Sequence, residues 1–299
     1  MINYTPNPIL FNLGIVRIYW YGFLITLGIV LGFCIFYKFA RRAGINKDLI
    51  FDLAFWSLIF GLIGGRFYHV LSEINYYISH PLEIFYIWNG GMGIFGVLLA
   101  GVLVFYIFSG SHPELTQASE GSRERKKIGI LRLRQPADPQ NDTFLRLLDF
   151  LAPALALAQS IGRWGNYFNS ELYGSPSNLP WAIPISPIKR LAGFESFTSF
   201  HPTFLYESIF CFILFLLLVI LTSHQYGGKE GSHHNNSGFI FFLYLLLYSS
   251  WRFLNEFLRI DYQPTWLNLR LAQWVSLILI IFSLLFFFKL KKWYNKNKI

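Results

Sequence analysis

The sequence predicts an all-α, polytopic membrane protein of about seven transmembrane helices, with its N-terminus outside and its C-terminus cytoplasmic. Three observations carry that expectation: a composition poor in charge, seven long apolar runs, and a one-sided distribution of Lys and Arg. Of the 299 residues, 54% are apolar, 19% aromatic and only 14% charged, against roughly 25% charged in a soluble domain. A chain bathed in lipid can leave apolar side chains on its outside, whereas a soluble core of this size needs a charged shell. The formal charge of +9 does not mark a nucleic-acid binder, because such proteins gather Lys and Arg on a soluble face and lack long apolar runs.

A bilayer core of about 30 Å takes about 20 mostly apolar residues in helix. Seven segments approach that length: Tyr19 to Phe39, Leu49 to Val70, Met92 to Phe108, a short fourth from Leu147 to Ile161, Phe204 to Leu221, Phe239 to Leu254, and Ala272 to Phe288. With the N-terminus outside, the inner segments hold seventeen of the 25 basic residues, including seven between Arg123 and Arg146 and five after Phe288. Basic residues in short loops stay on the cytoplasmic side, which gives N-out, C-in. The start of the chain, Met1 to Val16, has no Lys or Arg. It therefore lacks the basic region of a cleavable secretory signal, and the first helix is expected to remain.

The whole chain, 1–299, reads as one integral membrane domain. Two hydrophilic stretches, 109–143 and 222–237, read as cytoplasmic loops. The second contains His224, His233 and His234, but no Cys or acidic cluster accompanies them, so no metal site is expected. Cys34 and Cys211 each lie in an apolar run and read as small core hydrophobes. No internal repeat suggests the related halves of a secondary transporter, the principal alternative that intramembrane charge raises.

Polar chemistry inside apolar helices is the informative feature. Arg252, Asn255, Glu256 and Arg259 stand at offsets 0, 3, 4 and 7, one face of the sixth helix. An ionised group at bilayer depth costs about 2.5 to 3.5 kcal/mol on the lenient scale, so such groups pair or line a wet cavity. A salt-bridged interfacial anchor is the bland alternative. After the short fourth helix comes Gly162-Arg163-Trp164-Gly165-Asn166-Tyr167-Phe168-Asn169-Ser170-Glu171-Leu172-Tyr173-Gly174, dense in glycines, donors and acceptors. Gly64-Gly65-Arg66 closes the second helix. Its glycines suit tight packing, which leaves the arginine unexplained. Gly90-Gly91-Met92 precedes the third helix, and His201-Pro202 opens the fifth with Tyr206 and Glu207 one turn in.

Taken together, these motifs resemble the prolipoprotein diacylglyceryl transferase family. The block 162–174 is similar to its signature G-R-x-G-N-x-x-N-x-E-x-x-G. Around it stand Trp20-Tyr21-Gly22, Gly64-Gly65-Arg66, Gly90-Gly91-Met92, Asp149, His201-Pro202, Leu205-Tyr206-Glu207, and Arg252 with Glu256 and Arg259. The resemblance implies an enzyme of the bacterial inner membrane, active toward the outer leaflet. It takes phosphatidylglycerol as donor and the lipobox cysteine of a prolipoprotein as acceptor, with no cofactor and no metal. Glycerol phosphate leaves and a thioether forms. In that frame Arg163, Arg252, Glu171, Glu256, His201 and Tyr21 are the catalytic candidates. Arg163, Asn166, Arg66, Arg252, Gly174 and Arg259 are the substrate-binding ones. Guanidiniums stabilise charge growing on a departing phosphate, and a carboxylate or His201 takes the thiol proton. Where some members carry His or Tyr after the G-G-M segment, this chain has Phe95, which offers neither base nor donor.

Overall fold

The computed structural model describes residues 6–14, 16–87, 90–111, 139–227 and 237–296. It is mainly helical, and the seven apolar segments fall in helices except for Tyr19, which ends a strand, and Met92 and Gly93, which precede a helix. The helices are α1 (Trp20–Arg42), α2 (Lys47–Ser72), then after a short α3 (Ile74–Ser79) α4 (Ile94–Ser111), α5 (Pro139–Asn169), α6 (Thr203–Tyr226), α7 (Phe239–Asn255) and α8 (Leu271–Lys296). Among the described residues, five stretches, Trp20–Arg42, Lys47–Ser72, Asp142–Asn169, Thr203–Tyr226 and Leu271–Lys292, are long and apolar enough to cross a membrane. Apolar side chains are exposed on them, as at Ile63 (58%) and Ile213 (61%), which suits lipid rather than water as the neighbour. The chain is a polytopic membrane protein.

Two compact units are formed, Met1–Phe39 with Leu148–Ile299, and Ala40–Leu147. In the smaller unit α2 crosses α4 so closely that a Cβ on Gly64 would lie 2.6 Å from the carbonyl oxygen of Gly96. Small residues thus do the packing work that the Gly64-Gly65 pair suggests. In the larger unit one core joins Ala152 and Ala156 of α5, Leu214 and Leu218 of α6, and Ile240 and Tyr244 of α7. A second, built from Tyr173, Ile183, Ile185, Phe200 and Phe204, supports the segment between α5 and α6. There β3 (Ile183–Pro184) pairs antiparallel with β4 (Ser199–Phe200). Two more antiparallel pairs occur in this unit, β1 (Ile9–Asn12) with β2 (Arg17–Tyr19) and β5 (Thr265–Trp266) with β6 (Leu269–Arg270).

Several sequence expectations are corrected. The fourth span is not short. Helix α5 has 31 residues with Pro153 inside, and the block from Gly162 to Asn169 continues it, because its polar side chains find partners on neighbouring helices. Helix α2 runs past Arg66 to Ser72. Helix α7 stops at Asn255, and Glu256–Leu258 forms a 3₁₀ turn. Arg259 therefore leaves the helical face that its offset of 7 suggested. Both hydrophilic stretches are trimmed by helix at their ends, Ser109–Ser111 and Pro139–Thr143 for the first and Thr222–Tyr226, with His224, for the second. The rest of those expectations, with His233 and His234, lies outside the described residues. Cys211 is buried, but Cys34 is exposed and is not a core residue.

Candidate active site

The site grows from the end of α5. Ser170 has φ 54°, its amide hydrogen-bonds the Tyr167 carbonyl and the Glu171 amide bonds the Asn166 carbonyl. This is a Schellman C-cap. It folds Glu171 back over the helix end, where Oε1 accepts Asn166 Nδ2 at 2.8 Å and Asn169 Nδ2 at 3.4 Å. Asn166 in turn accepts Arg163 Nη1 through Oδ1 at 3.5 Å. The signature residues thus form one connected group, with Glu171 at its far end.

Arg163 opens a row of alternating charges. Its Nη2 pairs with Glu207 Oε1 of α6, which also accepts the Tyr248 hydroxyl at 2.9 Å. Arg252 Nη1 lies 3.8 Å from Glu207 Oε2, while its Nη2 lies 2.8 Å from Glu256 Oε2. Glu256 Oε1 faces Arg270 Nη1 at 2.9 Å, and Arg270 continues to Asp261, which holds Arg259 Nε at 2.8 Å. The contacts at Glu256 are charge contacts without good hydrogen-bond geometry. Four guanidiniums (Arg163, Arg252, Arg259, Arg270) meet three carboxylates (Glu207, Glu256, Asp261) in these contacts, leaving one positive charge in excess.

Burial makes that excess consequential. Glu207 and Glu256 are 2% and 1% exposed, whereas the side chains of Arg163 and Arg252 keep 22% and 16% of their surface open. Arg252 Nη1 is itself buried and makes no hydrogen bond. A charged donor left unspent in a partly dry place is costly unless a ligand completes it. Outside the membrane spans, Asp261 is pushed up by burial, but Arg259, Gln263 and Arg270 outweigh that and hold its carboxyl below the usual range.

The other candidates have different roles. Gly174 has no side chain to bind a substrate with. A Cβ there would lie 2.9 Å from His201 Cβ and from the Leu258 carbonyl, and its amide bonds the His201 carbonyl at 2.9 Å. Gly174 lets the signature loop lie against the chain beyond α7. His201 Nδ1 bonds the Tyr206 hydroxyl at 3.0 Å, which also accepts Trp181 Nε1 at 2.9 Å, and these bonds do not join it to the charged row. Tyr21 packs its ring where a side chain on Gly165 would stand. With Tyr19, Phe23, Thr26 and Asn169 it lines a cavity of about 710 Å³. Arg66 belongs to the smaller unit, where Nε bonds the Ile84 carbonyl at 2.8 Å, Nη1 the carbonyls of Gly90 (2.7 Å) and Gly91 (3.0 Å), and Nη2 that of Glu83. Phe95 sits beside Tyr68 in an aromatic contact. Glu207, Tyr248, Asp261 and Arg270 are row members that the sequence did not nominate. Tyr248 stands one turn before Arg252, and that spacing was its available signal.

The fold and this row define an integral membrane protein with a polar, cationic site assembled from α5, α6 and α7. The model of the prolipoprotein diacylglyceryl transferase family matches residues 8–118 and 130–289, and the chain belongs to that family. Among similar proteins are the phosphatidylglycerol–prolipoprotein diacylglyceryl transferases of Finegoldia magna, 37% identical over 96% of both chains, of Synechocystis, 35% identical over 93% of this chain and 87% of that one, and of Staphylococcus carnosus, 36% identical over 93% and 88%.

Proposed function

We propose that the chain transfers the diacylglyceryl group of phosphatidylglycerol to the lipobox cysteine of prolipoproteins. The observation that carries the reading is the excess cation of the row, with Arg252 Nη1 buried and unspent, in a member of this family. A phospholipid phosphate supplies the missing anion. The cysteine thiolate attacks the glycerol carbon that bears the phosphate, a carbon–sulfur bond forms, and the carbon–oxygen electron pair leaves with glycerol phosphate. Charge grows on that phosphate in the transition state, where preoriented guanidiniums gain most. Arg163 and Arg252 hold it. Glu171 accepts the thiol proton on Oε2, because Oε1 is the oxygen occupied by the two amides, while Glu256 is tied to two arginines. The aromatic cavity at Tyr21, which Asn169 also lines, supplies apolar room at the Glu171 end of the signature group.

The same reading places seven helices across the bacterial inner membrane, N-terminus out and C-terminus in, within one integral membrane domain. The row then faces the outer leaflet, and the hydrophilic stretches 109–143 and 222–237 face the cytoplasm. The distribution of Lys and Arg supports it. Labelling of single cysteines from either side of sealed vesicles tests the orientation. The activity test incubates purified protein with phosphatidylglycerol vesicles and a lipobox peptide. A peptide mass gain of one diacylglyceryl group is expected, and unchanged peptide beside folded protein rejects the reading.

A further inference from the structure

Helix α7 carries Tyr248 and Arg252 but begins without a cap of its own. The residue before it, Gly238, has φ 89° and no side chain to receive the first amide groups, which every helix leaves unpaired. They are received from another helix. Asp149 of α5, wholly buried, accepts the Gly238 amide on Oδ2 and the Phe241 amide on Oδ1, both at 2.8 Å, and the Tyr226 hydroxyl on Oδ2 at 2.7 Å. Two higher rungs join the same helices: Tyr244 donates to Gln159 Oε1 at 3.0 Å, and Arg163 meets Tyr248 at 3.5 Å and through Glu207. Phe241, Tyr248 and Arg252 are seven and eleven residues apart, so they share one face, and the cap lies about 16 Å along the axis from Arg252.

We infer that Asp149 is a positioning residue for transfer: by capping α7 from α5 it fixes the axial and rotational setting of Tyr248 and Arg252 against Arg163 and Glu207. The inference rests on the row being the catalytic site. An amide at 149 keeps one acceptor oxygen but opposes one of the two backbone N–H groups with its own NH₂. Helix α7 then loses a cap contact and shifts, and sub-ångström shifts at a charged site are enough to slow chemistry.

The experiment measures kcat and KM for phosphatidylglycerol with D149N, R252K and the double variant, each purified in detergent and checked for folding by its thermal transition. D149N is expected to lower kcat by about tenfold with a smaller change in KM, since charge on the phosphate is greatest in the transition state. D149N/R252K is expected to be no slower than R252K. Wild-type kcat in D149N, or losses that multiply in the double variant, overturns the inference and leaves the catalytic row intact. Full activity of R252K overturns the row and the inference with it. Should D149N fail to fold, Y226F removes only one of the three bonds. It is then expected to slow R252 enzyme about twofold and R252K enzyme not at all, and equal slowing in both overturns the inference.

Discussion

Two arginines in apolar helices, Arg252 and Arg66, are handled in opposite ways. Arg252 is met by carboxylates, Glu256 at 2.8 Å and Glu207 at 3.8 Å, and keeps a buried nitrogen without a hydrogen bond. Arg66 is met by four backbone carbonyls, which occupy four of its five N–H groups, and its guanidinium lies 5.3 Å from the ring of Tyr77. Neutral dipoles arranged around a cation build a brace that holds the turn at Gly90 and Gly91. Carboxylates that only partly use a cation leave chemistry available. On the proposed reading, partner type, rather than the presence of an arginine in a membrane helix, separates a catalytic charge from a structural one.

The comparison is broken most directly at the row. Arg252→Ala and Arg163→Ala are each expected to cut transfer by at least about 100-fold, the scale of losing one preoriented donor to a developing anion. The peptide mass assay measures this, and either variant within threefold of wild type would end the division drawn above. Glu207→Gln is expected to cost about 10-fold to 100-fold while preserving shape, because both arginines then lose a buried counter-charge. Glu207→Asp is expected to recover less than half of that loss, since the shorter carboxylate cannot span Arg163 and Arg252 together.

Much of this architecture is legible in the sequence, and the exceptions have physical causes. Apolar length locates the five helices long and apolar enough to cross a membrane, because hydrocarbon demands it of any span. It fails at α5, where polarity from Gly162 onward reads as loop. Polar side chains remain helical there because Arg163 meets Glu207 and Trp164 meets Ser208, partners 44 residues away that no local pattern reveals. Arg252 and Glu256 are picked out by their cost in lipid, and Arg163 by the dense polar block in which it stands. Glu207 is equally costly, but its partners Arg163 and Tyr248 lie 44 and 41 residues away, beyond any local pattern. The tie between Arg270 and Glu256 depends on the β5–β6 hairpin, whose turn at Leu267 and Asn268 takes positive φ without a glycine to announce it.

Arg66 sharpens the comparison from the other side. Arg66→Lys keeps the charge but gathers its donors on one nitrogen, which cannot reach carbonyls from Glu83 to Gly91 together. The thermal transition is expected to fall by several degrees, equivalent to roughly 1 to 3 kcal/mol, with donor KM within threefold of wild type. A larger rise in donor KM would instead make Arg66 a phosphate ligand. At the far end of the row, acid separates the carboxylate-held arginines from the carbonyl-held one. Burial raises the Asp261 pKa but its cationic neighbours win, so its folded value lies below the unfolded one, near 3.9. Its stabilisation is therefore full above the unfolded value and is lost as pH falls through the folded value. Thermal transitions measured from pH 7 down to pH 3 should show a smaller acid-dependent fall in Asp261→Asn than in wild type, while Arg66→Lys keeps the wild-type slope.

The smallest expected effect concerns the turn that delivers Glu171. Ser170 occupies the left-handed position of the helix cap with φ 54°, where glycine is the usual residue and a side chain costs about 1 kcal/mol. Its amide bond to Tyr167 and the Glu171 bond to Asn166 are backbone contacts, so Ser170→Gly retains both. Relief of strain is partly offset by the greater freedom of glycine in the unfolded chain. The variant is therefore expected to gain no more than about 0.5 to 1 kcal/mol, a rise of a few degrees at most, with transfer unchanged. If it gains stability but loses activity, the constrained serine turn is what aims Glu171, and the proton acceptor then depends on local backbone strain as well as on its two amide partners.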